Sequence, residues 1–325
     1  MLNFRLRTVL LLAAMFAVSS VFAQTANWPA KPVRFISPFP PGGSVDPLAR
    51  LVAAKMSEAT GQQFIVENKT GASGSIGTAF VARSAPDGYT YVFVFDTHAV
   101  NPSLIPNLPY DTLKDLAPVM LIGTSAMVIV TSASKPYRTF ADVIAAAKAK
   151  PDAVTYGTVG AGSLGHLTMT LVQQAAGIKV VHVPYKGGGP MTTDALGGQI
   201  ELGIASIAQQ APHVKGGKLR AIAVTGDKRS QVLPDVPALA EQGFPGFSAV
   251  AWWGIFAPAG VPKPIMDKFH AELVKIFNQP DVRKQLSEVQ GMDVTASSPE
   301  DTQKFLVSQM ERWGKVVREN NIRAE

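Results

Sequence analysis

The sequence predicts a layered α/β fold made of two domains, and three observations predict it. Short apolar runs rich in branched residues alternate with stretches of helical periodicity, the pattern of strands interleaved with helices. Three glycine-rich turns, Pro41-Gly42-Gly43-Ser44-Val45-Asp46, Gly160-Ala161-Gly162-Ser163-Leu164-Gly165-His166 and Lys186-Gly187-Gly188-Gly189-Pro190, each stand where a helix is expected to begin. Size sets the domain count. A leader over residues 1–23 taken from 325 residues leaves 302, enough for two sizeable cores.

The leader is read from Arg5 and Arg7 ahead of the apolar run Val9 to Val18, followed by Val21-Phe22-Ala23, with cleavage expected after Ala23. The run is too short for a stable membrane span, and no cysteine follows it to carry a lipid. The mature chain is therefore expected to be soluble, exported to the periplasm and monomeric. Zero cysteines exclude disulfides, thiol nucleophiles and thiolate metal sites. Removing Arg5 and Arg7 from 30 basic residues leaves 28 against 24 acidic, a mild net charge of +4. The basic residues form no block and no aromatics interleave them, which argues against nucleic acid as a partner. A weak positive field does favour an anionic ligand.

Strands are expected at Val33 to Ser37, Phe64 to Glu67, Tyr91 to Phe95, Met127 to Thr131, Val154 to Thr158, Val180 to Pro184, Ile200 to Ser206 and Leu219 to Thr225. Several are apolar on consecutive positions, as parallel strands buried on both faces are. Between them, Leu48, Leu51, Val52 and Met56 follow helical spacing, with Asp46 and Pro47 as cap and first-turn residue. Ile265, Phe269, Leu273 and Ile276 form a second stripe opened by Pro264. The last helix starts at the capping box Ser298-Pro299-Glu300-Asp301 and carries Leu306, Met310, Trp313 and Val317 on one face. The turn-rich segment from Leu233 to Phe247 and the stretch Met120 to Ser125 are expected to be crossings. That layout gives one domain from residues 24–122 and 250–325, and a second from residues 123–249, joined by a two-segment hinge.

Glycine turns at helix starts suit anions. A helix N-terminus offers unpaired N–H groups and a positive dipole end, and glycine lets a ligand approach the backbone. Several such turns facing one cleft would hold a carboxylate or a phosphate. Two competing readings of Gly160 to Gly165 fare badly. It fits the dinucleotide pattern G-x-G-x-x-G, but the acidic partner expected about twenty residues on falls near Pro184, Tyr185 and Lys186. It also resembles a relaxed nucleophile elbow around Ser163, so a secreted serine hydrolase is the alternative function. The downstream histidines His166, His182, His213 and His270 stand in no recognisable catalytic context. No H-E-x-x-H or similar spacing proposes a metal. No cofactor and no catalytic residue are therefore assigned.

Ordered blocks along the chain resemble the Bug family, the extracytoplasmic solute receptors of tripartite tricarboxylate transporters. The first is Phe39-Pro40-Pro41-Gly42-Gly43-Ser44-Val45-Asp46-Pro47-Leu48-Ala49-Arg50. Val66 to Ala72, Gly77, Pro86-Asp87-Gly88-Tyr89-Thr90, Tyr156 to His166, Pro184-Tyr185-Lys186-Gly187, Gly217 to Ala221, Leu233 to Pro237, Trp253-Gly254 and Ala257-Pro258-Ala259-Gly260 follow in order. The resemblance implies a periplasmic-binding-protein fold of the second type that closes on a small mono- or dicarboxylate and delivers it to membrane subunits. Ser206 stands where the family frequently has an acidic residue.

Carried onto this chain, the resemblance implies contacts from Phe39, Gly42, Gly43, Ser44 and Asp46 in the first loop. The glycine-serine loop contributes Thr158, Gly160, Ala161, Gly162, Ser163 and His166, with Thr97, Tyr185, Lys186 and Gly187 as neighbours. Each also has a structural role to play. Asp46 is a ready helix cap, Thr97 another, Phe39 a core residue, His166 and His98 satisfied structural histidines, and Lys186 a solvated cation. If both loops bind, valine at Gly43 or at Gly162 should abolish binding and leave the fold largely intact.

Overall fold

The computed structural model describes residues 28–324, apart from the side chain of Val289. The leader and its cleavage point lie outside the described residues. Val33–Ser37 (β1) is buried at four of its five positions and pairs in parallel with Phe64–Asn68 (β2) on one side and Thr90–Val94 (β3) on the other. Val250–Pro258 (β9) continues this first sheet antiparallel to β3. A second sheet holds Thr155–Thr158 (β5) between Val181–Pro184 (β6) and Leu202–Ser206 (β7), both parallel to it.

One strand belongs to both sheets. Leu116–Ser132 (β4) runs 17 residues, pairing through Ala126 with β9 and from Met127 onward with β7 and Leu219–Val224 (β8). Register shifts at Pro118/Met120, Leu121/Gly123 and Ile129/Val130 let one strand twist enough to serve two sheets. The stretch Met120 to Ser125, expected to be a crossing, is thus continuous strand. Gly123 does not interrupt it: a Cβ there would lie 2.5 Å from Asp293 O, so glycine admits the short strand Asp293–Val294 (β10) alongside. The chain returns beside this point, where Ala249 N–H donates to Thr225 O at 2.7 Å and Thr225 Oγ1 donates to Ala249 O at 2.6 Å.

The expectation of parallel strands holds for β1 to β3 and β5 to β7 only. Met127 to Thr131 and Leu219 to Thr225 are buried on both faces yet antiparallel. Consecutive apolar residues report burial on two faces, not strand direction, and here helices cover both faces of a mixed sheet.

Helices supply the covering layers. Val45–Thr60 (α1) buries Leu48, Val52 and Met56. Lys263–Phe277 buries Ile265, Phe269, Leu273 and Ile276, with the Phe269 ring centroid 4.1 Å from Tyr91 and 5.7 Å from Trp28. Pro299–Glu319 starts as expected: Ser298 Oγ accepts from Asp301 N–H at 3.1 Å and donates to its carboxylate at 2.7 Å. No helix among the described residues is long and apolar enough to cross a membrane.

Candidate functional site

The C-terminal ends of β1 and β3 face those of β5, β6 and β7, and the loops leaving these strand ends meet. Crevices outside the carboxyl ends of strands are where open α/β sheets bind ligands. A cavity of about 680 Å³ opens between Pro40 to Ser44 on one side and Gly189, Thr192 and Gln209 on the other. A second, of about 300 Å³, lies among Phe39, Ser73, Gly160, Ala161, Tyr185 and Lys186. Between them a void of about 20 Å³ is closed by Phe39, Ser44, Phe95, Ser206 and Gln209.

In the first loop, helix α1 begins two residues earlier than the Asp46-Pro47 pair suggests. Ser44 holds the cap position but its hydroxyl accepts from Trp253 Nε1 at 3.2 Å rather than capping the helix. Asp46 is therefore not the cap. Buried in the first turn, it accepts from Arg50 Nε at 2.9 Å, Arg50 Nη2 at 3.0 Å and Asn68 Nδ2 at 2.7 Å. The side chain is turned sideways to its i+4 partner, which leaves the helix start uncapped. Among the described residues no hydrogen bond occupies the N–H groups of Gly42, Gly43 or Ser44. Phe39 is buried, its ring 6.1 Å from that of Phe95, and its carbonyl accepts from Asn68 Nδ2.

The turn after β6 sits directly against this loop. A Cβ on Gly187 would stand 2.9 Å from Pro40 Cδ, and one on Gly189 3.1 Å from Pro41 O. Gly187 is the cap position of the helix Gly188–Leu196, and among the described residues the N–H groups of Lys186, Gly187 and Gly188 are likewise unoccupied. Tyr185 donates its hydroxyl to Asp194 at 2.7 Å, and burial together with that carboxylate pushes the phenol up to about 12. Its ring, not its hydroxyl, is left to line the cleft. Lys186 is exposed and forms no ion pair among the described residues.

The glycine-serine loop is built differently, because the chain itself uses most of its amides, although among the described residues no hydrogen bond occupies Ala161 N–H. Gly160 N–H donates to Thr158 Oγ1 at 3.4 Å, Gly162 N–H to His166 Nδ1 at 3.1 Å and Ser163 N–H to Gly160 O at 3.2 Å. Leu164 N–H, at the start of the helix Leu164–Ala176, donates to Asp96 Oδ1 at 3.3 Å from the opposite sheet's loops. Ala161 O accepts from Ser73 Oγ at 3.0 Å. Gly162 has φ +69°, and a Cβ there would fall 2.2 Å from a methyl of buried Leu104.

His166 is stacked 3.9 Å from His182, whose Nε2 is 2.7 Å from Thr158 Oγ1; burial holds these rings down to about 4 and 3. Both are neutral near pH 7, and His166 Nδ1 is an acceptor already engaged. His98 packs 4.7 Å from Phe256, both ring nitrogens buried without partners among the described residues. Thr97 is the first helical residue of Thr97–Leu104, and the cap position belongs to Asp96 instead. Ser163 Oγ is fully buried with no hydrogen-bond partner among the described residues. The Ser–His contact that a hydrolase needs is not formed.

Residues the sequence reading did not select also line or brace the cleft: Asp96, Ser73, Ser206, Gln209 and Thr192. An acidic residue directly after the apolar run Tyr91 to Phe95 was a signal available for Asp96, since strand C-termini face the crevice. Ser73 had none. It sits with Gly71, Ala72 and Gly74 in four consecutive positive-φ residues, Ala72 at +45° and Ser73 at +53°, a strain of about 1 to 2 kcal/mol for each non-glycine residue.

Residues 48–322 match the family described as the tripartite tricarboxylate transporter family receptor, TctC. Over 320 residues the chain is 35% identical to Protein BugT of Bordetella pertussis, covering 95% of this chain and 98% of that one. Two solved structures superpose closely: Rpa4515 of R. palustris with adipate, at TM-score 0.87 and 33% identity over 91% of this chain and 99% of that one; and MatC of Rhodopseudomonas palustris with bound malate, at TM-score 0.84 and 31% identity over 89% and 100%. The chain belongs to the tripartite tricarboxylate transporter receptor family, the Bug-type solute receptors with the periplasmic-binding-protein fold.

Proposed function

We propose that this protein is a periplasmic receptor that captures a small organic carboxylate between its two lobes and delivers it to the membrane subunits of a tripartite tricarboxylate transporter. The observation that carries this reading is the set of unoccupied amides at two abutting helix starts, Gly42 to Ser44 and Lys186 to Gly188. Burying a carboxylate costs several kcal/mol unless its oxygens are hydrogen-bonded, and charge-assisted bonds return about 1.5 to 3 kcal/mol each. Four to six donors meet the roughly 8 kcal/mol of a micromolar complex. Because the donors come from both lobes, neither satisfies the ligand alone and the ligand favours closure.

The lobes are residues 24–122 with 250–325, and residues 123–249. They would turn about β4 near Ala126 and Met127 and about the return at Thr225 and Ala249, where the sheets exchange partners. The protein is exported, cleaved after Ala23, works as a monomer and performs no chemistry on its ligand. Adipate and malate, bound by relatives, belong in the first screen. Thermal-shift measurements with three- to six-carbon mono- and dicarboxylates, followed by calorimetry, test the reading. Binding without turnover supports it. Failure of every carboxylate to shift the melting temperature rejects it.

A further inference from the structure

We propose that the small void between the two cavities is a subsite for a hydroxyl on the carbon next to the ligand's carboxylate, and that Ser206 selects 2-hydroxy acids over their unsubstituted and 2-amino counterparts. This rests on the carboxylate-receptor reading above and narrows its ligand class. Residues at the starts of three helices line that void: Gly43 and Ser44 before α1, Gly188 opening Gly188–Leu196, and Ser206 before Ile207–Lys215. None of the three starts has a side-chain cap. Three positive dipole ends thus converge on a space that no charged side chain lines. Gly43, Ser44 and Gln209 also line the cavity of about 680 Å³, so a carboxylate held on the unoccupied amides of Ser44 and Gly188 sits with its neighbouring carbon beside the void.

The void suits an uncharged group that both donates and accepts. Ser206 is 2% exposed, and its hydroxyl has no hydrogen-bond partner among the described residues although it stands at a helix cap position. Gln209, three residues on, uses its amide nitrogen to donate to Thr192 Oγ1 at 2.8 Å, and its Oε1 lies against Gly188, where a Cβ would strike it. Among the described residues no hydrogen bond occupies that oxygen. A void of about 20 Å³ admits roughly one water-sized group. A ligand hydroxyl there accepts from Ser206 Oγ and donates to Gln209 Oε1, which satisfies both side chains. With only hydrogen at that carbon, the ligand leaves the buried Ser206 hydroxyl unpaired, at its desolvation cost. An ammonium brings three donors and no acceptor to three positive helix ends, with no carboxylate in the lining to receive it.

Titration calorimetry on the mature protein near neutral pH should compare two matched series, lactate with propionate and alanine, and malate with succinate and aspartate, using both enantiomers where they exist. Within each series the far end of the ligand is the same, so any contact of a second carboxylate with Lys186 and Ala161 in the cavity of about 300 Å³ cancels. The preferred hydroxy acid is expected to bind about tenfold more tightly than the unsubstituted acid and the amino acid, and Ser206→Ala to reduce the first ratio at least about threefold. Equal binding of hydroxy and unsubstituted acids, the result if a water fills the void, overturns the proposal. Tighter binding of the amino acid does the same, as does an unchanged ratio in a variant whose melting curve shows it folded. If Ser206→Ala does not fold, the wild-type ratios decide alone. If no member of either series binds while another carboxylate does, only this proposal falls; if no carboxylate binds at all, the receptor reading falls and this one with it.

Discussion

The first loop and the glycine-serine loop look alike as strings of residues, yet one is open to a ligand and the other is stitched to the protein. Both follow a parallel strand, both are glycine-rich and both begin a helix. In the first, Asp46 turns aside to Arg50 and Asn68 and leaves Gly42 to Ser44 unoccupied. In the second, His166, Gly160 and Asp96 each take an amide, Ser73 takes the carbonyl of Ala161, and Leu104 fills the space beside Gly162. A helix start becomes an anion site only where no nearer group of the chain has claimed it. The second loop is thus tied by hydrogen bonds to Asp96 and Ser73, residues of the loops around the first sheet.

Substitution of the two glycines separates these roles most sharply. Gly162→Val, expected from sequence to spare the fold, places a branched side chain into Leu104 at a positive φ. Overpacking of about 1 to 3 kcal/mol and left-handed strain of about 1 to 2 kcal/mol should add, and a melting temperature lowered by more than 5 °C would be seen by calorimetry. Gly43→Val meets nothing nearer than Pro40 O at 3.7 Å. It should melt as wild type yet lose at least thirtyfold in carboxylate affinity by titration calorimetry, the loss of one to two charge-assisted bonds. Equal melting temperatures for the two variants would erase the contrast between the loops.

Asp46→Ala should come next. It removes three hydrogen bonds from a buried carboxylate whose partner Arg50 is half exposed, so a cost of about 1 to 3 kcal/mol is expected in chemical denaturation. Because the first loop loses its brace, affinity should fall as well. Unchanged affinity would detach Asp46 from the shape of that loop. Ser73→Ala, which cuts only the bond to Ala161 O across the cleft, should cost about 1 kcal/mol, read as a shift of the denaturation midpoint.

The smallest effect is in pH. Burial holds His98, His166 and His182 to about 3, 4 and 3, below the ordinary 6.5, so on acidification the unfolded chain takes up protons that the native one refuses. Their contribution is complete above pH 6.5 and is lost as the pH falls toward 4. Asp96 acts in the opposite sense: raised from 3.8 to about 7, it keeps its proton in the native state, and its contribution fades as the pH rises from 4 to 7. The melting temperature should therefore fall between pH 6.5 and 4.5, and fall more steeply in Asp96→Asn. A shallower slope in the variant would contradict a buried, proton-holding Asp96.

Sequence alone determined most of the strands, though not Val250–Pro258, Asp293–Val294 or the first half of β4, together with the helix stripes and the three glycine turns, because periodicity, turn chemistry and helix capping act over a few neighbouring residues. Val33–Ser37, the face of Phe269 and Leu273, and the Ser298 cap are all of this kind. The ordered blocks also carried the family. Tertiary structure decided what those signals mean together. That β4 is one strand shared by two sheets depends on partners from Leu202 to Asp293. That Asp96 reaches Leu164 N–H, 68 residues away, and that Ser73 reaches Ala161 across 88, follow from the meeting of loops that leave different strands. Which amides stay unoccupied is settled by distant competitors for the same hydrogen bonds, and no local pattern in a chain encodes a competitor that only folding brings near.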